Sequence, residues 1–161
     1  MDLYIKQKVF SWKDKFSVYD VNGNPKYNVE GEFFTLGKKL HLYDLNGNEI
    51  AYIHQKLLSF LPKYFISING HDVAEVVKNF TFFKQEYEVR GFNWLVHGDF
   101  FAHEYEIVDG NFTVAKISKE WFTFGDAYHI QIADGVDDKA VLGVVLVIDA
   151  CLAAQSNSSN V

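Results

Sequence analysis

Ala140-Val141-Leu142-Gly143-Val144-Val145-Leu146-Val147-Ile148 is apolar without interruption, and after Asp149 the run resumes as Ala150-Cys151-Leu152-Ala153-Ala154. No polar stripe recurs along it at 3.6-residue spacing. A helix apolar on every side is either enclosed by protein or immersed in a membrane. Fifteen residues at 1.5 Å each span about 22 Å, short of the roughly 30 Å hydrocarbon core of a bilayer. Asp149 makes a membrane position more costly still. Val and Ile are poor helix formers, so a buried strand is the competing reading. Length and the alanines decide for a core helix. Asp137 or Asp138 stands where a carboxylate caps the first turn and meets the positive end of the macrodipole.

Everything before this run has period two. Leu3, Ile5 and Val9 alternate with Tyr4, Lys6 and Lys8; Leu40, Leu42 and Asp44 alternate with His41, Tyr43 and Leu45. Alternation of β-branched and aromatic residues with polar ones describes half-buried strands. Asn22-Gly23, Asn46-Gly47, Asn69-Gly70 and Asp109-Gly110 punctuate the pattern, dipeptides that suit type I′ hairpin turns with positive φ at both central residues. The text around the first two nearly repeats: Tyr19-Asp20-Val21-Asn22-Gly23-Asn24 and Tyr43-Asp44-Leu45-Asn46-Gly47-Asn48. Strands are predicted over 3–10, 15–20, 26–31, 38–44, 49–56, 63–68, 72–79, 84–90, 93–97, 103–108, 112–118 and 127–133. The connections are short, so neighbouring strands run antiparallel. A sheet surrounds a helix on all sides only by closing around it. Eight strands are filled by side chains alone and sixteen leave a channel, so about twelve leave space for a helix 10–12 Å across. The fold class expected is mainly β: a closed antiparallel β-barrel around a central C-terminal hydrophobic helix. One domain is expected over residues 1–154, followed by a disordered polar tail, 155–161.

The 161 residues are 48% hydrophobic and 17% aromatic, which excludes general disorder. The net charge of −6 argues against a nucleic-acid partner. Residues 1–80 carry ten lysines against nine acids, and the remainder carries four lysines and Arg90 against twelve acids. Cys151 is the sole cysteine, which excludes an intrachain disulfide and a zinc finger. The start, Met1-Asp2-Leu3-Tyr4-Ile5-Lys6-Gln7-Lys8, has no apolar signal region. Both features lead to the expectation of a cytoplasmic protein.

Tyr4-Ile5-Lys6-Gln7-Lys8-Val9-Phe10-Ser11-Trp12, Gly37-Lys38-Lys39-Leu40, Leu61-Pro62-Lys63-Tyr64, Ile117-Ser118-Lys119-Glu120-Trp121 and the segment from Asp134-Gly135 through Cys151 follow one another in an order and spacing of their own. In these the chain resembles the LURP-one-related family of the tubby C-terminal-like superfamily, over essentially its whole length. The resemblance implies a twelve-stranded antiparallel barrel around a hydrophobic C-terminal helix. It also implies kinship with phospholipid scramblases and with tubby proteins, which bind phosphoinositides, although most bacterial-type members of the family have no assigned activity.

No phosphate-binding loop, nucleophile elbow, zinc-protease motif, C-x-x-C or dinucleotide fingerprint occurs. His97 and His103 lie six residues apart with Asp99 and Glu104 between or beside them, and read as surface or hydrogen-bonded histidines. Glu104 and Glu106 share a strand face and read as solvated charges. Asp134, Asp137 and Asp138 form an acidic loop where scramblases carry a calcium-binding segment. These carboxylates could supply part of a calcium shell, and capping with turn formation is the alternative. Asp149 reads as a structural polar anchor inside the barrel.

Turn parity adds a second axis. In an antiparallel meander alternate turns share an end. The Asn-Gly and Asp-Gly turns and Asp134-Gly135 follow even-numbered strands. The turns after odd-numbered strands hold Trp12, Phe33, Phe34, Leu57, Leu58, Phe60, Leu61, Phe82, Phe83, Phe100, Phe101, Trp121, Phe122 and Phe124. The barrel therefore has a polar end and an aromatic end. Lys13, Lys15, Lys38, Lys39, Lys56, Lys63, Lys84 and Lys119 flank the aromatic one. These aromatics either fold inward as a cap on the core, or present a surface for anionic phospholipid headgroups with Trp12, Trp121 and the lysines as contacts. The function expected is a non-catalytic binding domain for phospholipid or an anionic membrane surface, with a protein-interaction scaffold or an enzyme with an unrecognised site as alternatives.

Overall fold

The computed structural model describes residues 1–6, 15–32, 36–80, 84–122 and 125–158. Twelve strands form the wall: β1 (Asp2–Lys6), β2 (Lys15–Tyr19), β3 (Pro25–Gly31), β4 (Lys39–Tyr43), β5 (Glu49–Gln55), β6 (Lys63–Ile68), β7 (His71–Phe80), β8 (Gln85–Arg90), β9 (Trp94–Asp99), β10 (Glu104–Asp109), β11 (Phe112–Phe122) and β12 (Gly125–Ile132). Each pairs antiparallel with its sequence neighbours, and β1 pairs with β12 to close the barrel. The seam is held by more than the ladder. The Met1 amino group donates to the Ile132 carbonyl at 2.7 Å, and Tyr4 stacks on His129, whose Nε2 lies 2.8 Å from Asp2.

The α-helix α1 (Asp138–Ser158) fills the lumen. Asp137 caps it: its carboxylate accepts from the Lys139 amide at 2.9 Å and its carbonyl from the Val141 amide. The helix runs four residues past Ala154, into the segment expected to be tail. From Ala140 through Ile148, apart from Gly143, every side chain is fully buried. The wall supplies the partners by alternation: Leu3 and Ile5, Leu40 and Leu42, Ile66 and Ile68, Ile130 and Ile132 face inward with their counterparts on the other strands. The helix approaches β5 and β6 most closely, and Gly143 makes this possible. A Cβ there would sit 3.0 Å from Ile66.

The hairpin turns fall where the dipeptides place them, but not all in the expected geometry. Asn69 (φ 50°) and Gly70 (φ 80°) both take positive φ, as a type I′ turn demands. At Asn22-Gly23 and Asn46-Gly47 only the glycine does, and the register shifts by one residue beside each turn. These are three-residue loops closed by a glycine bulge. The near-repeat explains the choice. Asp20 accepts the amides of Asn22 and Asn24, and Asp44 those of Asn46 and Asn48, all at 2.8–2.9 Å. Such side-chain turns stabilise the longer loop in place of the two-residue type I′ turn.

Candidate functional site

Closure of an antiparallel barrel gives it two ends, and α1 enters at the polar one. There the acidic loop is engaged by the fold. Asp138 Oδ2 accepts from the Tyr27 hydroxyl at 2.6 Å and from Lys26 Nζ at 2.9 Å, while Lys139 lies 3.1 Å from Asp137. Burial pushes the Asp138 carboxyl up, but the Tyr27 and Lys26 hydrogen bonds outweigh it and hold the group below the usual carboxylate range. Asp134 is not drawn into this arrangement. Among the described residues no three His, Cys, Asp or Glu side chains gather as a metal would require.

At the aromatic end the expected site divides. Trp12 and Lys13 lie outside the described residues, as do Phe33, Phe34, Phe82, Phe83 and Phe124. Trp121 belongs to β11, and its side chain also falls outside them. Lys15 pairs with Glu30 at 2.8 Å, Lys39 with Glu32 at 3.1 Å and Lys63 with Glu75 at 3.6 Å. These cross-strand pairs follow from strand register, which places opposite charges side by side. Lys38 turns inward and donates to the Ala150 carbonyl of α1 at 2.9 Å. Lys56, Lys84 and Lys119 are exposed.

Between Lys56 and Lys63 the β5–β6 loop projects outward. Leu58 and Phe60 are fully exposed, and Leu57 is half exposed. Leu58 holds a left-handed backbone (φ 57°), unusual for a branched residue. Leu36 in the neighbouring loop is 84% exposed, and Gly37 beside it abuts Leu57. Phe101 in the β9–β10 turn is 66% exposed. The polar end also exposes apolar residues, Val21, Leu45 and Phe112, but one per turn. The aromatic residues of this end divide between inside and outside even at adjacent positions. Phe100 folds inward, edge-on to Tyr87 at 5.0 Å, while Phe101 stays outside.

Inside the wall beneath this end lies a polar ring that sequence reading missed. Tyr64, Lys78, Tyr87, Tyr105 and Tyr128 face inward around Asp149 and Cys151 of α1. Burial raises all four phenols well beyond the usual range and lowers Lys78. It pushes the Cys151 thiol up to about 11, which disfavours the nucleophilic thiolate form. Asp149 is raised far above the carboxylate range by burial alone. Its Oδ2 and the Tyr105 hydroxyl make no hydrogen bond among the described residues. His103 reaches in from the β9–β10 turn. Its Nε2 lies 3.1 Å from the Tyr128 hydroxyl and its Nδ1 3.8 Å from Asp149 Oδ1. His97 remains on the outer face, opposite Glu86 and Glu106, so the two histidines do not converge. Glu106 pairs with Lys116, and Glu104 accepts from the Lys119 amide. The signal for the ring was available: Ala74, Val76 and Lys78 share one face of β7, so Lys78 had to point where Val76 points.

A closed twelve-stranded antiparallel barrel filled by its own C-terminal helix defines the structural class of this protein. Within it this chain belongs to the LURP-one-related family, whose profile matches residues 1–149. It is 40% identical over 152 residues to the uncharacterized protein YxjI of Bacillus subtilis (strain 168), covering 94% of each chain. A crystal structure of an Arabidopsis thaliana protein has the same fold. It superposes with a TM-score of 0.68 at 19% identity, over 93% of this chain and 90% of that one. No described helix is long and apolar enough to cross a membrane.

Proposed function

We propose that the protein is a non-catalytic binding domain that docks its aromatic end on an anionic phospholipid surface. The observation that supports this reading is the β5–β6 loop, which holds Leu57, Leu58 and Phe60 clear of the barrel between Lys56 and Lys63. Inserting two fully exposed apolar side chains is worth about 3–6 kcal/mol, at roughly 1.5–3 kcal/mol each. Each lysine near an anionic leaflet adds about 1 kcal/mol. Pairing of Lys15, Lys39 and Lys63 with glutamates reduces that electrostatic share. The association is therefore weak, reversible and led by the apolar loop. The filled lumen also favours binding over catalysis, since a packed core offers no chamber for a substrate.

The test is co-sedimentation with phosphatidylglycerol-containing vesicles at low and high salt, using wild type and the double variant Leu58→Asp/Phe60→Asp. Both side chains are solvated, so the variant keeps its fold. Loss of binding by tenfold or more supports the proposal. Unchanged binding by the variant, or no binding of wild type at low salt, refutes it. Capture of a defined protein by the same loop, without vesicle binding, would assign the surface to protein docking instead.

A further inference from the structure

His103 is a polar link between solvent and the buried ring. It ends the turn Phe100–His103, whose closing bond runs from the His103 amide to the Phe100 carbonyl at 3.2 Å. Its backbone is left-handed (φ 57°), a conformation that costs about 1 kcal/mol outside glycine and asparagine. Left-handed backbone persists where surroundings enforce it. Here that geometry carries the imidazole inward, against the Tyr128 ring at a centroid distance of 4.2 Å and between the Tyr128 hydroxyl and Asp149. The same turn seats Phe100 in the wall between Tyr87 and Tyr105, while holding Phe101 outside.

We propose that His103 is a proton-operated latch: the neutral imidazole pins the β9–β10 turn to Tyr128 and Asp149, and its protonation releases the turn and frees Phe100 to join Phe101 at the surface. The inference rests on the membrane-docking reading only for its consequence, the enlargement of the apolar contact surface. Among the described residues, titratable groups on five elements bear on the imidazole. Burial raises the pKa of Asp149 of α1, which weakens the counter-charge it offers. Tyr128 of β12 and Tyr105 of β10 are neutral phenols. Lys119 of β11 repels a cation at this position, and Asp99 of β9 alone favours one. Burial is the largest influence, and with Lys119 it lowers the His103 pKa below the ordinary imidazole value. A group with a lowered pKa in the closed state binds its proton more readily once released. Between the ordinary value and the lowered one, each unit of acidification multiplies the open-to-closed ratio by about tenfold, and then the ratio levels off.

The test is amide hydrogen exchange on the full chain between pH 7.5 and 5.5, expressed as protection factors to remove the intrinsic pH dependence. Ala102, His103 and Glu104 are expected to lose about tenfold in protection on acidification. His103→Asn retains a residue tolerant of left-handed backbone and removes the titration, so its protection stays flat. Asp149→Asn keeps the acid step, because the step belongs to the imidazole. Constant wild-type protection over this range, or the same loss in His103→Asn, overturns the latch. A parallel series with phosphatidylglycerol vesicles reads the consequence: binding rises severalfold on acidification in wild type, beyond any rise in His103→Asn. The exchange result without vesicle binding at any pH upholds the latch and overturns only the membrane reading.

Discussion

An alanine scan through α1 measures how completely the helix is enclosed. Val141, Leu142, Val144, Val145, Leu146, Val147 and Ile148 are each wholly shielded from solvent. At 100° per residue these positions cover every azimuth of the helix. Val→Ala removes two methylene-sized groups, a transfer loss of about 1.6 kcal/mol. Alanine's better helix propensity returns about 0.5 kcal/mol. The cost is therefore at least about 1 kcal/mol before any cavity is counted. Strands stand on all sides and cannot collapse independently onto a void, so the cavity adds to it. Leu142→Ala and Leu146→Ala then fall at about 3–5 kcal/mol, the upper part of the range for buried leucine. Urea unfolding followed by circular dichroism, with the slope held constant across the series, reads these values directly. The expected profile is costly at every position, without a helical period. An amphipathic helix lying on the outside of a barrel would instead give values near zero along one stripe. Losses below about 0.5 kcal/mol at Val141, Val145 and Ile148, with large losses at Leu142 and Leu146, would refute the enclosure.

Asp138→Asn removes the carboxylate that receives Lys26 and Tyr27, and is expected to cost about 1.5–3 kcal/mol at pH 7 in urea unfolding. The wild-type group has a lowered folded-state pKa, so its stabilisation is present above the unfolded value near 4 and disappears as pH falls through the folded one. The gap between the two proteins therefore closes in acid, and a gap that persists at pH 2 would contradict the assignment. Gly98→Ala places a Cβ 2.5 Å from the Glu104 carbonyl oxygen at a backbone φ of +140°, and is expected to lower stability by at least about 3 kcal/mol in the same assay. A smaller loss would mean that the β9–β10 ladder is looser than its register implies.

Much of the candidate site was hidden in the sequence for a simple reason. The lysines were visible as a set, but Lys15, Lys39 and Lys63 meet Glu30, Glu32 and Glu75 only once register is known. Lys38, next to Lys39 in sequence, parts from it by turning inward to α1. The acidic loop was legible as a cap, and Asp137 performs that role. What Asp138 touches depends on β3, more than a hundred residues away.

The sequence alone determined the wall, the helix within it and the two ends. Each rests on a local regularity: period two in the strands, the absence of any polar stripe in 140–148, and the parity of the turns. Tertiary structure decided which of those residues meet. His103 reaches Asp149 across 46 positions, and Tyr87, Tyr105 and Tyr128 surround it, because barrel closure sets the height of every strand against the helix. That height is a sum of registers around the whole ring, and no single segment carries it.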